Sequence, residues 1–128
     1  MTWEVISAKS VAASRGVPSA RVGRGSIVLN GASSNLLGPM AGREFAELML
    51  DLEDDRVGIR FLEERNENTV PVRRRKEKGK QSESLAISSR AHMRELFGEA
   101  GLANGSTRYD VSVDPEERNV LVLVRQER

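Results

Sequence analysis

Residues Ser26–Gly38, SIVLNGASSNLLG, and residues Ser84–Gly98, SLAISSRAHMRELFG, carry the same physical signal twice. In each, a short alternating stretch (Ile27 and Leu29; Leu85 and Ile87) predicts a strand with one apolar face. A polar residue suited to capping a helix follows, Asn30 in the first copy and Ser88 or Ser89 in the second. The short helix then closes on an apolar pair and a glycine, Leu36-Leu37-Gly38 and Leu96-Phe97-Gly98, because glycine readily takes the left-handed conformation that ends a helix. Further out, Phe45–Leu62 (FAELMLDLEDDRVGIRFL) and Thr107–Arg125 (TRYDVSVDPEERNVLVLVR) each read as strand, acidic turn, strand. Asp54-Asp55 and Pro115-Glu116 are the turn residues. The spacing between copies grows from 58 positions (Asn30 to Ser88) to 60 (Gly38 to Gly98) to 63 (Asp51 to Asp114). Insertions therefore fall in the helix and the loop after it, where chains tolerate them best. The pattern predicts two duplicated β-α-β-β units, 26–62 and 84–128.

Around these units lie two other segments. Residues 1–25 read as an N-terminal strand and loop: Thr2–Ile6 as an edge strand whose Trp3 packs over a rim, then the small, polar, Gly/Pro-punctuated stretch Lys9–Pro18. Residues 63–83 read as a mobile basic connector with a short strand at Thr69–Arg73. Apolar periodicity selects the core: Ile27, Leu29, Leu37, Leu48, Leu50, Val57, Ile59, Phe61, Leu85, Ile87, Met93, Phe97, Val111, Val113, Val120, Val122 and Val124.

At 128 residues the chain has room for one modest core, so a single domain over 1–128 is expected. With 38% hydrophobic and 30% charged residues it is too apolar for wholesale disorder. Its apolar runs, Val120–Val124 among the longest, fall far below the roughly 18–20 residues of a membrane span, and no secretory segment opens the chain. A cytoplasmic protein without membrane association is the expectation. The absence of Cys excludes disulfides, thiolate metal sites and cysteine nucleophiles, and a single His excludes most histidine-based metal centres. Net charge is only +1, yet Arg73–Lys80 holds six cations against one anion, a local +5 that leaves −4 on the remainder. Any affinity for a polyanion is therefore local.

The run Gly25-x-Ile27-x-Leu29, the short helix closed by Leu37-Gly38, and the hairpin Leu48–Phe61 with its acidic turn resemble the AbrB family of swapped-hairpin barrel proteins. The tandem arrangement resembles the MraZ relatives that carry two such units in one chain. The resemblance covers about 37 residues of the first copy and, more loosely, about 42 of the second. It implies a sheet-dominated mixed α/β (α+β) fold, in which two pseudo-symmetric βαββ units interleave into one AbrB-like swapped-hairpin barrel. It also implies a cytoplasmic, non-enzymatic protein that reads double-stranded DNA, a transcriptional regulator of bacterial or phage origin. Whether the halves pair within one chain or exchange hairpins in a homodimer is left open.

This chain departs from the family where function is concerned. Ser26 stands where the family has Arg, Asn30 where it has Pro, and Ser34 and Asn35 at helix positions often held by Arg. Other cations take up the role. Arg21 and Arg24 lie just before the first unit, and Arg90 and Arg94 share a helix face at i, i+4. These four are the expected structured contacts, since arginine's planar fork suits both phosphates and guanine edges. Arg73, Arg74, Arg75, Lys76, Lys78 and Lys80 are expected to add mobile phosphate contacts that give affinity without sequence reading.

No catalytic constellation emerges. Ser89 and His92 share a helix face with Glu95 one turn on, but a triad also needs an oxyanion hole and a pocket. The acidic turns lack calcium-loop spacing, and Gly23-x-Gly25 lacks the third glycine of a dinucleotide motif. No cofactor, metal or small-molecule substrate is called for. The alternative is a protein-interaction module, because Val120–Val124 is apolar at consecutive positions, as in a strand covered on both faces or packed on another subunit.

Overall fold

The computed structural model describes residues 17–36, 44–51, 53–77, 80–117 and 119–125, with side chains excepted at 75–77 and 80–83. Among the described residues, eight strands and two helices follow one another as β1 (Ser19–Gly23), β2 (Ser26–Leu29), α1 (Gly31–Asn35), β3 (Phe45–Asp51), β4 (Arg56–Leu62), β5 (Thr69–Glu77), β6 (Lys80–Ser88), α2 (Arg90–Phe97), β7 (Thr107–Val113) and β8 (Val120–Arg125). A 3-10 turn, Gly98–Gly101, extends α2. The strands close into an antiparallel barrel in the order β1-β2-β6-β5-β3-β4-β8-β7, with β7 returning to β1. Closure leaves the sheet without a free edge where all neighbours pair.

Period-2 alternation sends one side of every strand inward. Val22, Ile27, Leu29, Ala46, Ile59, Ile87, Leu121 and Leu123 are fully buried, joined by Val57, Phe61, Val70, Leu85 and Val111 in one cluster. Met93 from α2 joins the same cluster. Burying each such large side chain contributes roughly 1.5–3 kcal/mol. The expected inward pattern holds on β2, β4 and β6.

On β8 the expected burial of Val120 and Val122 holds, and two residues left out of the expected core are buried as well. Leu121 and Leu123, not Val120 and Val122, face the barrel interior, in register with Ile59 and Val57. Val120 and Val122 are nonetheless 2% and 8% exposed, lying on the outer face beside Gly58 and Met49. With both faces covered, the run carries no alternation from which to choose a side. Leu50 and Val124, expected in the core, are 42% and 43% exposed, Leu50 next to the end of β3 and Val124 on the same outer face of β8 as Val120 and Val122, next to that strand's end. Leu37, Trp3 and the strand expected at Thr2–Ile6 lie outside the described residues.

The segments outside the two predicted units also differ. Ser19–Gly23, placed in an N-terminal strand and loop, is barrel strand β1. The expected basic connector is instead a β-hairpin: the short strand foreseen at Thr69–Arg73 runs on to Glu77 and pairs with Lys80–Ser88. Val70 and Val72 on one strand and Leu85 and Ile87 on the other supply the inward apolar side that anchors this hairpin in the wall. Charge composition alone does not reveal such an anchor. Each strand-helix-hairpin unit is thus preceded by a further strand.

Candidate nucleic-acid interface

The β1–β2 turn is the most constrained backbone near the expected arginines. Arg24 and Gly25 both have positive φ, 54° and 77°, the signature of a two-residue hairpin turn whose twist matches the strands it joins. Glycine takes this conformation freely; arginine does so at a cost of roughly 1 kcal/mol, and the surroundings hold it there. The Arg24 N–H donates to the Ala103 carbonyl (2.9 Å) and the Gly25 N–H to the Gly101 carbonyl (2.8 Å). The Gly25 carbonyl accepts from the Ser89 N–H (3.0 Å), and Arg24 Nε donates to the Asn104 carbonyl (2.9 Å). A Cβ on Gly25 would sit 2.9 Å from Cγ of Arg90, so the Arg90 stem crosses the turn. Arg90 thus packs on the residue that follows Arg24, 65 positions away from it in sequence.

Arg90 opens α2, whose N-cap Ser89 accepts from the His92 N–H. Ser89 Oγ also lies 2.7 Å from His92 Nδ1. Arg94, one turn later, is exposed and lines a separate depression with Gly98, Glu99, Leu102 and Ala103. The structure therefore brings Arg90 to the turn and leaves Arg94 away from it.

Arg21 is exposed on β1 and shares a groove with Gly23, Arg24, Val28 and residues 104–106. Strand pairing sets its neighbours. Arg21 is the register partner of Arg108 on β7 and of Val28 on β2; Val28 partners Ala86 on β6, and Ala86 partners Arg73 on β5. One outward row across five strands thus reads Arg108, Arg21, Val28, Ala86, Arg73. Three strand spacings separate Arg21 from Arg73, about 14 Å. Between them the floor is small: Val28 and Ala86, with Ser26 and Ser88 joined through their hydroxyls (2.7 Å) one step along. Among the described residues, Asp110 is the acidic side chain this face carries, and none of the arginines in the row forms an ion pair.

The opposite wall, β3-β4-β8, is electrostatically closed. Arg60 makes a forked contact with Glu117 (2.9–3.1 Å) and approaches Glu47. Arg56 donates to Asp51 (2.7 Å) and approaches Asp54. The hydrogen bond from Arg56, then the backbone N–H of Asp54, hold the Asp51 carboxyl below the usual aspartate range.

Arg73 and Arg74 require a correction: expected as mobile cations without register, both occupy strand β5, with Arg73 opposite Ala86 and Arg74 opposite Leu85. Both are exposed. Arg75, Lys76 and Lys80 also lie in strands β5 and β6, and Lys78 lies outside the described residues. Arg108 was not singled out from sequence. Its alternation with Tyr109 was a signal that it faces outward; that it stands beside Arg21 is a property of the β1–β7 pairing, which no local pattern encodes. Comparison with known proteins finds no family model, curated protein or solved structure that matches the chain.

Proposed function

We propose that this chain is a non-enzymatic protein that binds double-stranded DNA with the β7-β1-β2-β6-β5 face of its barrel. The observation that carries the reading is the single cross-strand row in which Arg21 and Arg73 flank a floor of small side chains, with Arg108 beside Arg21. Like charges directly opposite each other on a sheet are destabilising, so the Arg21–Arg108 pair costs stability unless an anion lies across it. Phosphates are spaced and charged to meet such a row, and a small floor lets the duplex backbone approach. Arg24, held through its N–H and Nε at one end of the face, and Arg90, whose stem crosses the same turn, are placed to read base edges.

The same reading includes an interleaved, duplicated barrel. Exchanging β1 with β5, β2 with β6, β3 with β7 and β4 with β8 carries every neighbouring pair of the barrel onto another neighbouring pair. That exchange places Arg21 on Arg73 and Val28 on Ala86. Asp51 and Asp114 also play matched parts, each accepting the backbone N–H two residues on, from Glu53 and Glu116. The alternative, a protein-interaction module, drew on Val120–Val124; Val120 to Leu123 are buried within the chain itself.

Fluorescence anisotropy with a labelled 25-base-pair duplex across a salt series tests the proposal. Binding should weaken steeply with salt. Arg21→Ala, Arg73→Ala and Arg108→Ala should each flatten the slope of log K on log salt by about 0.9 per lost phosphate contact. Arg60→Ala should leave it unchanged. Arg24→Ala and Arg90→Ala should narrow the gap between preferred and random duplexes by about 1–3 kcal/mol per lost bidentate base contact. A parent protein that binds no duplex at low salt overturns the reading.

A further inference from the structure

The strand registers obey one exchange between the two halves of the chain, and that exchange has an axis. Inward alternation sets Ile27 and Leu29 on Leu85 and Ile87, an offset of 58 positions. Among the β2–β6 register pairs, Val28–Ala86 is the one whose members lie 58 positions apart, so these strands exchange about the point midway between them. Val28 pairs with Arg21 and Ala86 with Arg73, so Arg21 falls on Arg73 and, two residues earlier on each strand, Ser19 falls on Pro71. Ser19 pairs with Asp110 and Pro71 with Phe45; Asp110 pairs in turn with Val124 and Phe45 with Leu62. Leu62 therefore falls on Val124, an offset of 62 positions, and β4–β8 contains a register pair with that same separation, Ile59–Leu121. All the barrel's seams are thus consistent with a single two-fold axis, entering the wall at Val28–Ala86 and leaving it at Ile59–Leu121. Units assembled without a common axis have no reason to satisfy this at every seam.

The axis emerges at the middle of the arginine row. Arg21 and Arg73, both exposed, stand one and a half strand spacings to either side of it, about 7 Å each. Val28 and Ala86 occupy the space between. Duplex DNA carries two-fold axes of its own, perpendicular to the helix, which relate phosphates of its two strands. A two-fold protein surface makes equal contacts to both strands when its axis lies on one of these, and its preferred site is then an inverted repeat. The separation of about 14 Å between Arg21 and Arg73 matches the major groove, about 12 Å wide, rather than the minor groove at about 6 Å. The helices break the equivalence: α2 opens on Arg90 and carries Arg94, whereas α1, its counterpart, opens on Gly31 and carries no cation.

We propose, resting on the DNA-binding reading and the duplicated barrel above, that the preferred DNA site is an inverted repeat whose dyad lies over Val28–Ala86. One chain covers both half-sites. Arg21 holds a phosphate on one strand, and Arg73 holds the dyad-related phosphate on the other, across the major groove. Arg90, which packs on Gly25 of the β1–β2 turn and has no cationic counterpart on α1, makes one half-site more sharply read than the other.

Binding selection on duplexes with a randomised centre, followed by native mass spectrometry of the complex, tests this. The selected site should be an inverted repeat bound by one chain. Ethylation interference on that site should mark phosphates of both strands at positions related by its dyad. Arg21→Ala should lose the interference on one strand and Arg73→Ala on the other, in proteins whose thermal unfolding by circular dichroism matches the parent's. Arg90→Ala should bring the two half-sites to equal information content. The parent's own selection and interference carry the test if a variant unfolds. A selected site that is a direct repeat, or that has no internal symmetry, overturns the dyad while leaving the barrel face as the DNA site. Binding without any preferred sequence does the same. An inverted repeat bound by two chains overturns the placement of the dyad within one barrel. Loss of interference on the same strand in both variants overturns the roles given to Arg21 and Arg73. A parent that binds no duplex overturns this inference together with the DNA-binding reading.

Discussion

Gly101 is the residue on which the end of α2 rests. A Cβ there would lie 2.5 Å from the Met93 carbonyl oxygen and 2.9 Å from its carbon, both backbone atoms that cannot swing aside. Met93 is itself fully buried. Gly101→Ala should therefore destabilise the barrel by about 2–3 kcal/mol, read as a drop in the urea midpoint. Gly105→Ala, where a Cβ meets nothing within 4 Å, should leave the midpoint unchanged or slightly higher. Asp51 supplies a second residue-scale prediction. Its folded-state pKa is lowered, chiefly by the Arg56 hydrogen bond and then by the Asp54 N–H. Its contribution to stability is therefore present above the ordinary aspartate value of about 3.9 and is lost as pH falls through the lower folded value. The stability advantage of the parent over Asp51→Asn should be constant at neutral pH and vanish in acid, as measured by urea unfolding at a series of pH values.

At the scale of elements, Asn30 shows why a helix of five residues persists where an isolated one would not. Its Oδ1 accepts from the Ser33 N–H (2.9 Å), the Ser33 hydroxyl (2.8 Å) and the Ser19 N–H (3.2 Å). Its Nδ2 donates to the Val17 carbonyl (2.7 Å) and Ser19 Oγ (3.0 Å). One side chain thus caps α1 and stitches it to the start of β1, which proline at this position would not do. Asn30→Ala should cost about 2 kcal/mol, more than a simple cap. Asn30→Asp should recover part of that loss, since it keeps the acceptors and loses only the donor. Ser89 makes the simpler bond on α2, so Ser89→Ala should cost about 1 kcal/mol. Chemical denaturation of the three variants side by side checks the order.

At the scale of the molecule, the barrel alternates hairpins from the two halves of the chain: β1–β2, β6–β5, β3–β4, β8–β7. Every seam between hairpins, β2–β6, β5–β3, β4–β8 and β7–β1, joins one half to the other. Among the described residues neither half by itself pairs more than two strands side by side, and isolated two-stranded hairpins are at best marginal in water. A chain cut within 63–68 should give two fragments that each lack stable β structure, and mixing them should restore the parent's circular dichroism spectrum and its cooperative unfolding. A fragment that folds alone would contradict this interdependence.

What the sequence determined by itself is what local physics controls. Alternation at Ile27 and Leu29 and at Leu85 and Ile87 marked strands, Asn30 and the pair Ser88-Ser89 marked helix starts, and Asp54-Asp55 and Pro115-Glu116 marked turns, because each signal acts within a few residues of chain. The arginines Arg21, Arg24, Arg73 and Arg90 were legible as candidates, since unpartnered cations stand out in composition. Which of them face one another was not. Arg90 packs on Gly25 of the β1–β2 turn, and Arg21 lines up with Arg108 and Arg73, only through contacts and pairings between residues tens of positions apart. The choice of Leu121 and Leu123 over Val120 and Val122 for the interior followed from register with β4, because a strand covered on both faces has no polar side to reveal its orientation. The basic stretch became a barrel hairpin rather than a connector for the same reason: Val70, Val72, Leu85 and Ile87 anchor it in the wall, and that wall exists only once strands distant in sequence have paired.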